Sequence, residues 1–426
     1  MATRDEILAA DFAHVWHPYA PAREELRTDP FVIARAKGVW LEDVNGSRYI
    51  DGNSSWWTAT LGHSHPRLVK VLQRQAETLA HTAFAGITHE PGALLAKELV
   101  ASLPAGFSRV FYTDNGSTAI EAALRIALQF WEHQGQSERT TFVALNSAFH
   151  GDTLGATSLG GIDLFTQVFR HAILKCVHVT SPTDGYDEAF AHLARTLETS
   201  HRTIAAVVVE PLVQGAAGMR TYDARYLTDL AALCRRFDVL LIVDEVFTGF
   251  GRTGTMWACE QAGISPDIVC VGKAFASLLP MGATVVTDRI AEQFVGGRLE
   301  ALMYGHTFAG HPLGAALARE VLAIFRDEDI VASLAPKTAM IRRTFESLPH
   351  AHSARALGMI GAADFGGGGY LGDAGWRIFH EAKKRGAYLR PLGDTVYVCP
   401  PLTISEGELG TLLGIVDESV RAVFHH

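Results

Sequence analysis

Short apolar runs that stop abruptly at a polar residue recur along this chain, and the stretches between them carry apolar residues at helical spacing. The runs TTFVALN, AAVVVE, VLLIVDE, DIVCVG and GATVVT read as buried strands, and RVFYTDNGSTAIEAALRIALQFW as strand, turn and long helix. Such alternation predicts an α/β fold built on a mainly parallel sheet. Upstream, VWLED and RYIDG flank Asn45-Gly46, a hairpin signal, and Leu68, Val71, Leu72, Leu94, Leu95 and Leu99 mark two helices between His65 and Leu103. After about residue 320 the texture changes. Helical patterns (VLAIFRDEDIVASL, TAMIRRTFESL) surround the shorter strands MIGAADF and AYLRPLGDTVYVCPP, and a final helix closes the chain. We therefore expect a large α/β domain over 61–320 and a smaller α+β domain over 321–426, packed with an N-terminal segment of 1–60. Gly366–Gly369 reads as a loop.

Open α/β sheets place their chemistry at the carboxyl ends of the strands. Three of the runs deliver Glu210, Asp244 and Lys273 there. A lysine is rarely buried without reason, and one at a strand end beside a cationic ring has a lowered pKa, so that its free amine can form and exchange imines. An aspartate on a neighbouring strand end can pair with a protonated ring nitrogen. Viewed singly, Lys273 reads as a snorkelling surface residue and Asp244 as a solvated strand end; their company gives the reading its force.

Thr113–Thr118 lies between a strand and a helix. Gly116 permits close backbone approach, and the helix-start amides with the Ser117 hydroxyl suit a phosphate, although an ordinary cap reads the same way. The GxGxxG match at Gly249–Gly254 is incidental to nucleotide binding, because Asp267 precedes its strand where an acid should end it. His63-Ser64-His65, His150 and the terminal histidines make no metal set. In Ser54-Ser55-Trp56-Trp57, adjacent tryptophans cannot both face one core from a strand, so either a core contact with one exposed edge or an aromatic pocket wall is expected. Arg390 can fork onto a carboxylate, of a substrate or of the protein itself.

Composition narrows the class without choosing the chemistry. The chain has 426 residues, 48% apolar and 19% charged, with a net charge of −9. It lacks the clustered Lys and Arg of a nucleic-acid binder. The five cysteines are scattered without CxxC spacing and read as free thiols in a reducing compartment. MATRDEILAADF has no charged-then-apolar signal pattern, and no apolar run reaches about 18 residues, so a cytoplasmic protein off the membrane is expected.

Taken together, DNGSTAIEAALR, AFHGDTLGATS, VVVEPLVQGAAGM, LLIVDEVFTGFGRTG, CVGKA and GHTFAGHPL resemble, in order and spacing over nearly the whole chain, the class III (ω-type) aminotransferases among the fold-type I pyridoxal phosphate enzymes. The resemblance implies a seven-stranded, mainly parallel sheet and a homodimer sharing its active sites. It implies that Lys273 binds pyridoxal 5'-phosphate covalently and shuttles a proton, and that Asp244 pairs with the ring nitrogen. Gly116, Ser117, His306 and Thr307 would bind the cofactor, Thr307 from the partner subunit, while Phe149 and Val246 would sandwich the ring. Tyr19, Trp56, Trp57, Phe149, Gly305 and Arg390 would form the substrate pocket, with Tyr19 also catalytic and Glu210 and Arg252 as helpers. Within the class, WHPYA, DGNSSWWTATLGHSHPRL, AGITHEPGALLAKEL and YLRPLGDTVYVCPP are similar to the biotin-biosynthetic branch that aminates 8-amino-7-oxononanoate to 7,8-diaminononanoate with S-adenosyl-L-methionine. Three positions depart from that branch: Phe149 stands where tyrosine is usual, AFASLLPMG after Lys273 lacks the usual Gly pair, and His306 replaces a proline. The donor therefore stays open among adenosylmethionine, lysine and another amine. A general ω-aminotransferase and an aminomutase remain as alternatives, and so does a non-enzymatic binding protein, against which the intact Lys273 and Asp244 argue.

Overall fold

The computed structural model describes residues 2–20 and 30–424; His425 and His426, among the terminal histidines, lie outside the described residues. Its N-terminal part forms strands β1 (Ile33–Lys37), β2 (Trp40–Asp43) and β3 (Arg48–Asp51), with β2 and β3 antiparallel about the Asn45-Gly46 turn, where Gly46 takes a φ of 85°. The central part contributes β4 (Phe107–Thr113), β5 (Thr141–Leu145), β6 (Cys176–Val179) and β7 (Ile204–Val209). A two-residue ribbon follows, β8 (Val213–Gln214) with β9 (Arg220–Thr221), and then β10 (Leu240–Asp244), β11 (Ile268–Val271) and β12 (Gly282–Thr287). Seven of these make one sheet in the order β4-β12-β11-β10-β7-β5-β6. Every neighbour pair is parallel except those of β12, which runs antiparallel to β11 and β4. Strand β6 is short and only half-buried, which is why the apolar pattern of CVHV did not single it out.

Alternate residues of the central strands face opposite layers, as the pleat requires. Val207, Val209, Leu241, Val243, Val269 and Val271 pack into one core, and Ala206, Val208, Leu240, Ile242, Ile268 and Cys270 into another beneath the helix Gly116–His133. With both faces covered, the strands need apolar residues at every position, hence the unbroken runs in the sequence.

The C-terminal part adds β13 (His352–Leu357), β14 (Ile360–Asp364), β15 (Ala387–Tyr388) and β16 (Thr395–Val398). β13-β14-β16 form an antiparallel sheet, and β15 pairs parallel with β3, tying the two ends of the chain together. The helix Pro312–Asp327 runs through residue 320, so the change of texture read there falls within one continuous helix. The Gly366–Gly369 loop wraps a buried aspartate: the amides of Gly368 and Ala374 donate to the two oxygens of Asp394, at 2.7 and 3.0 Å. A Cβ at Gly372 would lie 2.1 Å from that carboxylate, which accounts for glycine there.

Candidate active site

The sheet register sets the site. Val243 lies opposite Val209 and Asp244 opposite Cys270, so Glu210, Asp244 and Lys273 emerge side by side from β7, β10 and β11. They line one cavity of ≈ 830 Å³ with Tyr19, Trp56, Trp57, Gly116, Ser117, Phe149 and Val246. A larger groove of ≈ 1040 Å³ lies elsewhere, where Arg319 and Glu98 already pair with each other at 2.8 Å.

Lys273 follows Gly272 in the left-handed backbone region, with φ at 47°. Its Nζ sits 5.0 Å from the centre of the Trp57 ring and 5.9 Å from that of Phe247. Burial lowers the pKa of the amine, while Asp244 and Glu210 pull it back upward. The result is an amine closer to its nucleophilic, neutral form than a surface lysine.

Asp244 is buried and hydrogen-bonded twice, to the Val246 amide at 3.0 Å and to Nδ1 of His150 at 2.7 Å. Burial pulls the His150 imidazole down, but the hydrogen bond and charge of Asp244 outweigh it and the pKa is raised. Glu210 accepts from the amides of Phe149 and Gly215, both at 3.0 Å, so it fixes the backbone that carries the Phe149 ring. Burial raises its pKa to about 7 against the attraction of His150.

At the other end of the cavity, Asn115 caps the helix Gly116–His133 by accepting from the Thr118 amide at 3.0 Å. The amides of Gly116 and Ser117 have no partner among the described residues and start an 18-residue helix, an arrangement suited to an anion. Val246 closes against this end: a Cβ at Gly116 would lie 2.5 Å from its Cγ1.

The outer wall is aromatic. Tyr19 packs edge-on against Trp56 (5.7 Å) and Phe165 (5.5 Å), and Phe165 also meets Phe149 (5.9 Å) and Tyr370 (5.1 Å). The Tyr19 hydroxyl donates to Asp152 at 2.5 Å, and burial together with that carboxylate raises its pKa. Arg390 sits behind this wall, 5.0 Å from the Trp56 ring and 6.0 Å from that of Trp376, with no carboxylate partner among the described residues.

The tandem tryptophans occupy neither a strand nor an ordinary helix. Ser54, Ser55, Trp56 and Trp57 all have positive φ (48°, 44°, 65° and 71°) and form one left-handed turn closed by the Trp57 and Thr58 amides on the carbonyls of Asn53 and Ser54. Trp57 is buried against Phe247 at 4.5 Å, and Trp56 is 41% exposed at the cavity wall.

Not every residue expected here lines the cavity of a single chain. Arg252 does not: its guanidinium is buried and donates to the carbonyls of Met359 and Pro400, bracing the fold behind the tryptophan turn. His306 lies between Asp114 (2.8 Å) and the Tyr304 hydroxyl (2.7 Å), and Gly305 and Thr307 beside it are exposed. Conversely His150, Asp152, Asn115 and Ser277–Met281 line the cavity without having been singled out for it. Asp152 and His150 carried a signal in the FHGD stretch; Phe165 and Tyr370, brought near by the aromatic contacts alone, carried none.

A family model, described as aminotransferase class-III, matches residues 21–420. The chain belongs to the class III aminotransferases. This aminotransferase is 36% identical, over 97% of each chain, to a Geobacter sulfurreducens protein named adenosylmethionine-8-amino-7-oxononanoate aminotransferase. A solved structure of the Methanocaldococcus jannaschii protein of the same name superposes with a TM-score of 0.94 at 32% identity, covering 99% of both chains. An ω-transaminase from Pseudomonas jessenii, solved in complex with PMP, superposes with a TM-score of 0.92 at 29% identity over 98% of both chains. The seven-stranded sheet with one antiparallel strand is thus the fold of solved transaminases. Among the described residues of this class III aminotransferase, no helix is long and apolar enough to cross a membrane.

Proposed function

We propose that the chain transfers the amino group of S-adenosyl-L-methionine to the 7-keto carbon of 8-amino-7-oxononanoate, with pyridoxal 5'-phosphate as cofactor, to give 7,8-diaminononanoate in biotin synthesis. The observation that carries this beyond amino transfer in general is Arg390. It is a guanidinium held against Trp56 and hydrogen-bonded to Tyr370 at the back of an aromatic wall, with no carboxylate partner among the described residues, and so suited to the carboxylate of a long-chain oxo acid, in a chain whose relatives bear that enzyme's name.

The residues present fit the cofactor. The free amides of Gly116 and Ser117 suit its phosphate, Asp244 its protonated ring nitrogen, Phe149 and Val246 its two faces, and Lys273 its aldehyde. When bound, pyridoxal phosphate supplies a cationic ring that delocalises negative charge developing on the substrate carbon. Asp244, oriented by its hydrogen bond with His150, would pair with the protonated ring nitrogen. Lys273, with its pKa lowered by burial, accepts the proton from the substrate carbon and returns it, as general base and then general acid. Tyr19, Trp56 and Trp57 cover the reacting carbon with apolar area, which lets one pocket take two dissimilar substrates in turn.

We assign residues 61–320 to a large cofactor-binding domain and residues 1–60 with 321–426 to a smaller one, a division supported by the pairing of β15 with β3. The exposed Gly305–Thr307 loop of a second copy completes the phosphate end, making the working unit a homodimer, and the free cysteines fit a cytoplasmic enzyme. Phe149 favours a second reading, a general ω-aminotransferase, because the ring packs edge-on against Phe165 and offers donor substrates no hydroxyl.

Purified protein with pyridoxal phosphate, incubated with 8-amino-7-oxononanoate and adenosylmethionine, should form 7,8-diaminononanoate, measured by mass spectrometry. Formation with a panel of simple amines but not with adenosylmethionine would replace the proposed donor. No product with any donor, while other keto acids are aminated, would establish the general reading.

A further inference from the structure

The left-handed turn Ser54–Trp57 is the longest run of non-glycine residues at positive φ in the described chain. Four consecutive residues with side chains sit at positive φ and none is glycine, although L-residues avoid this region and glycine does not. Strain of this kind persists only where surrounding contacts over-determine it, and it gathers at working sites. Here the contacts converge on one carboxylate. Asp51 is fully buried, and its oxygens take the Asn53 amide (3.2 Å), the Ser55 hydroxyl (2.7 Å) and Nε2 of His63 (2.8 Å). From the far side, the Ser54 hydroxyl donates to the Cys399 carbonyl at 2.7 Å, the Asn53 amide group to the Tyr397 carbonyl at 3.2 Å, and the Trp57 indole to the Tyr397 hydroxyl at 3.1 Å.

The consequence is geometric. An extended backbone would send Trp56 and Trp57 to opposite faces. In the turn, Trp57 reaches inward beneath the Lys273 amine while Trp56 stands in the outer wall between Tyr19 and Arg390. We propose that Asp51 is a positioning residue: by holding Ser54–Trp57 in the left-handed turn, it sets the Trp56 face on which Arg390 rests, and with it the affinity for the carboxylate-bearing acceptor. This rests on the acceptor proposed above. Asp51 does not line the cavity and acts through the turn, so its effect belongs in KM rather than kcat.

Position 55 separates the turn from the hydrogen bond that supports it. Ser55→Ala and Ser55→Gly both delete the hydroxyl donated to Asp51, but only glycine adopts positive φ freely. A lost hydrogen bond shifts an equilibrium by roughly five-fold. Freedom from the left-handed penalty shifts it by roughly five-fold or more the other way. In the pyridoxal phosphate-loaded enzyme, Ser55→Ala should raise KM for 8-amino-7-oxononanoate about five-fold with kcat held within about two-fold, while Ser55→Gly stays within about two-fold of wild type in both. Asp51→Ala should raise KM further, and adding Ser55→Gly to it should recover part of the loss. If Asp51→Ala does not fold, the alanine and glycine contrast at 55 decides alone. Equal KM for the two position-55 variants, or a fall in kcat at unchanged KM, overturns the proposal. A wild-type enzyme that never aminates the oxononanoate overturns the acceptor assignment first, and this inference with it.

Discussion

The imidazole of His150 meets the carboxylate of Asp244 at 2.7 Å, Nδ1 to Oδ2, with both groups buried at the floor of the cavity. A charge-assisted bond in such a place fixes the orientation of the partner. His150→Ala deletes that bond and leaves the buried Asp244 carboxylate without the partner that orients it. Affinity for pyridoxal phosphate should fall roughly 10- to 100-fold, read by absorbance titration of the apoprotein. The His150 pKa is raised, so the pair is intact below it and is lost as pH rises through it. Wild-type turnover should therefore fall on the alkaline side, and a His150→Ala variant with unaltered cofactor affinity and the same alkaline limb would remove His150 from this role.

Lys273 has two tasks that one substitution separates. Lys273→Ala removes both the covalent tether and the proton carrier but leaves the Gly116 and Ser117 amides, Asp244 and the ring-facing side chains in place. Turnover should drop by at least about 1,000-fold, whereas pyridoxal phosphate should still bind, dialysable and without a borohydride-trappable link to the protein. Retained turnover would mean that another group moves the proton.

What the chain disclosed in advance follows from how locally each feature is encoded. Glu210, Asp244 and Lys273 could be read as strand-end residues because each closes an apolar run buried on both faces, a signal carried within about ten residues. The partner of Asp244 could not be read this way: His150 is 94 positions away and meets it only because β5 and β10 flank β7. Metal-ligand spacing among the histidines carries no trace of this pair, because a single His–Asp contact needs no second histidine. The tryptophan turn was hidden for a different reason, since SSWW contains no glycine to announce positive φ, and its conformation is imposed by Asp51 and the distant segment 397–399. Tyr370 reaches the aromatic wall through a glycine loop wound on Asp394, a contact with no periodicity to detect.

Arg390 should discriminate by carboxylate. Truncation in Arg390→Ala leaves the Trp56 and Trp376 rings without the guanidinium between them and removes a group behind the wall able to fork onto an anion. The KM for 8-amino-7-oxononanoate should rise roughly 10- to 100-fold, the cost of a lost charge-assisted pair, while cofactor absorbance stays that of wild type. Steady-state kinetics showing an unchanged KM would place the acceptor carboxylate elsewhere.

Glu245, next to Asp244, gives a prediction about stability rather than turnover. It is fully buried, with one oxygen on the Cys259 amide (2.9 Å) and the other on the Thr248 hydroxyl (2.6 Å), and burial raises its pKa from 4.5 to about 7. Between those two values the folded state binds the proton more tightly than the unfolded one, so stability falls as pH climbs through the interval and stays lower above it. Glutamine retains an oxygen for the Cys259 amide and presents an amide to the Thr248 hydroxyl, which can turn to accept it while keeping its own bond toward the Asp244 carbonyl. In Glu245→Gln the titrating penalty is gone. The variant should match wild type near pH 4.5 and exceed it by roughly 1–3 kcal/mol at pH 8. Calorimetric unfolding of the two proteins across that range measures the difference directly, and melting curves that run parallel at every pH would show that Glu245 carries its charge in the fold without penalty.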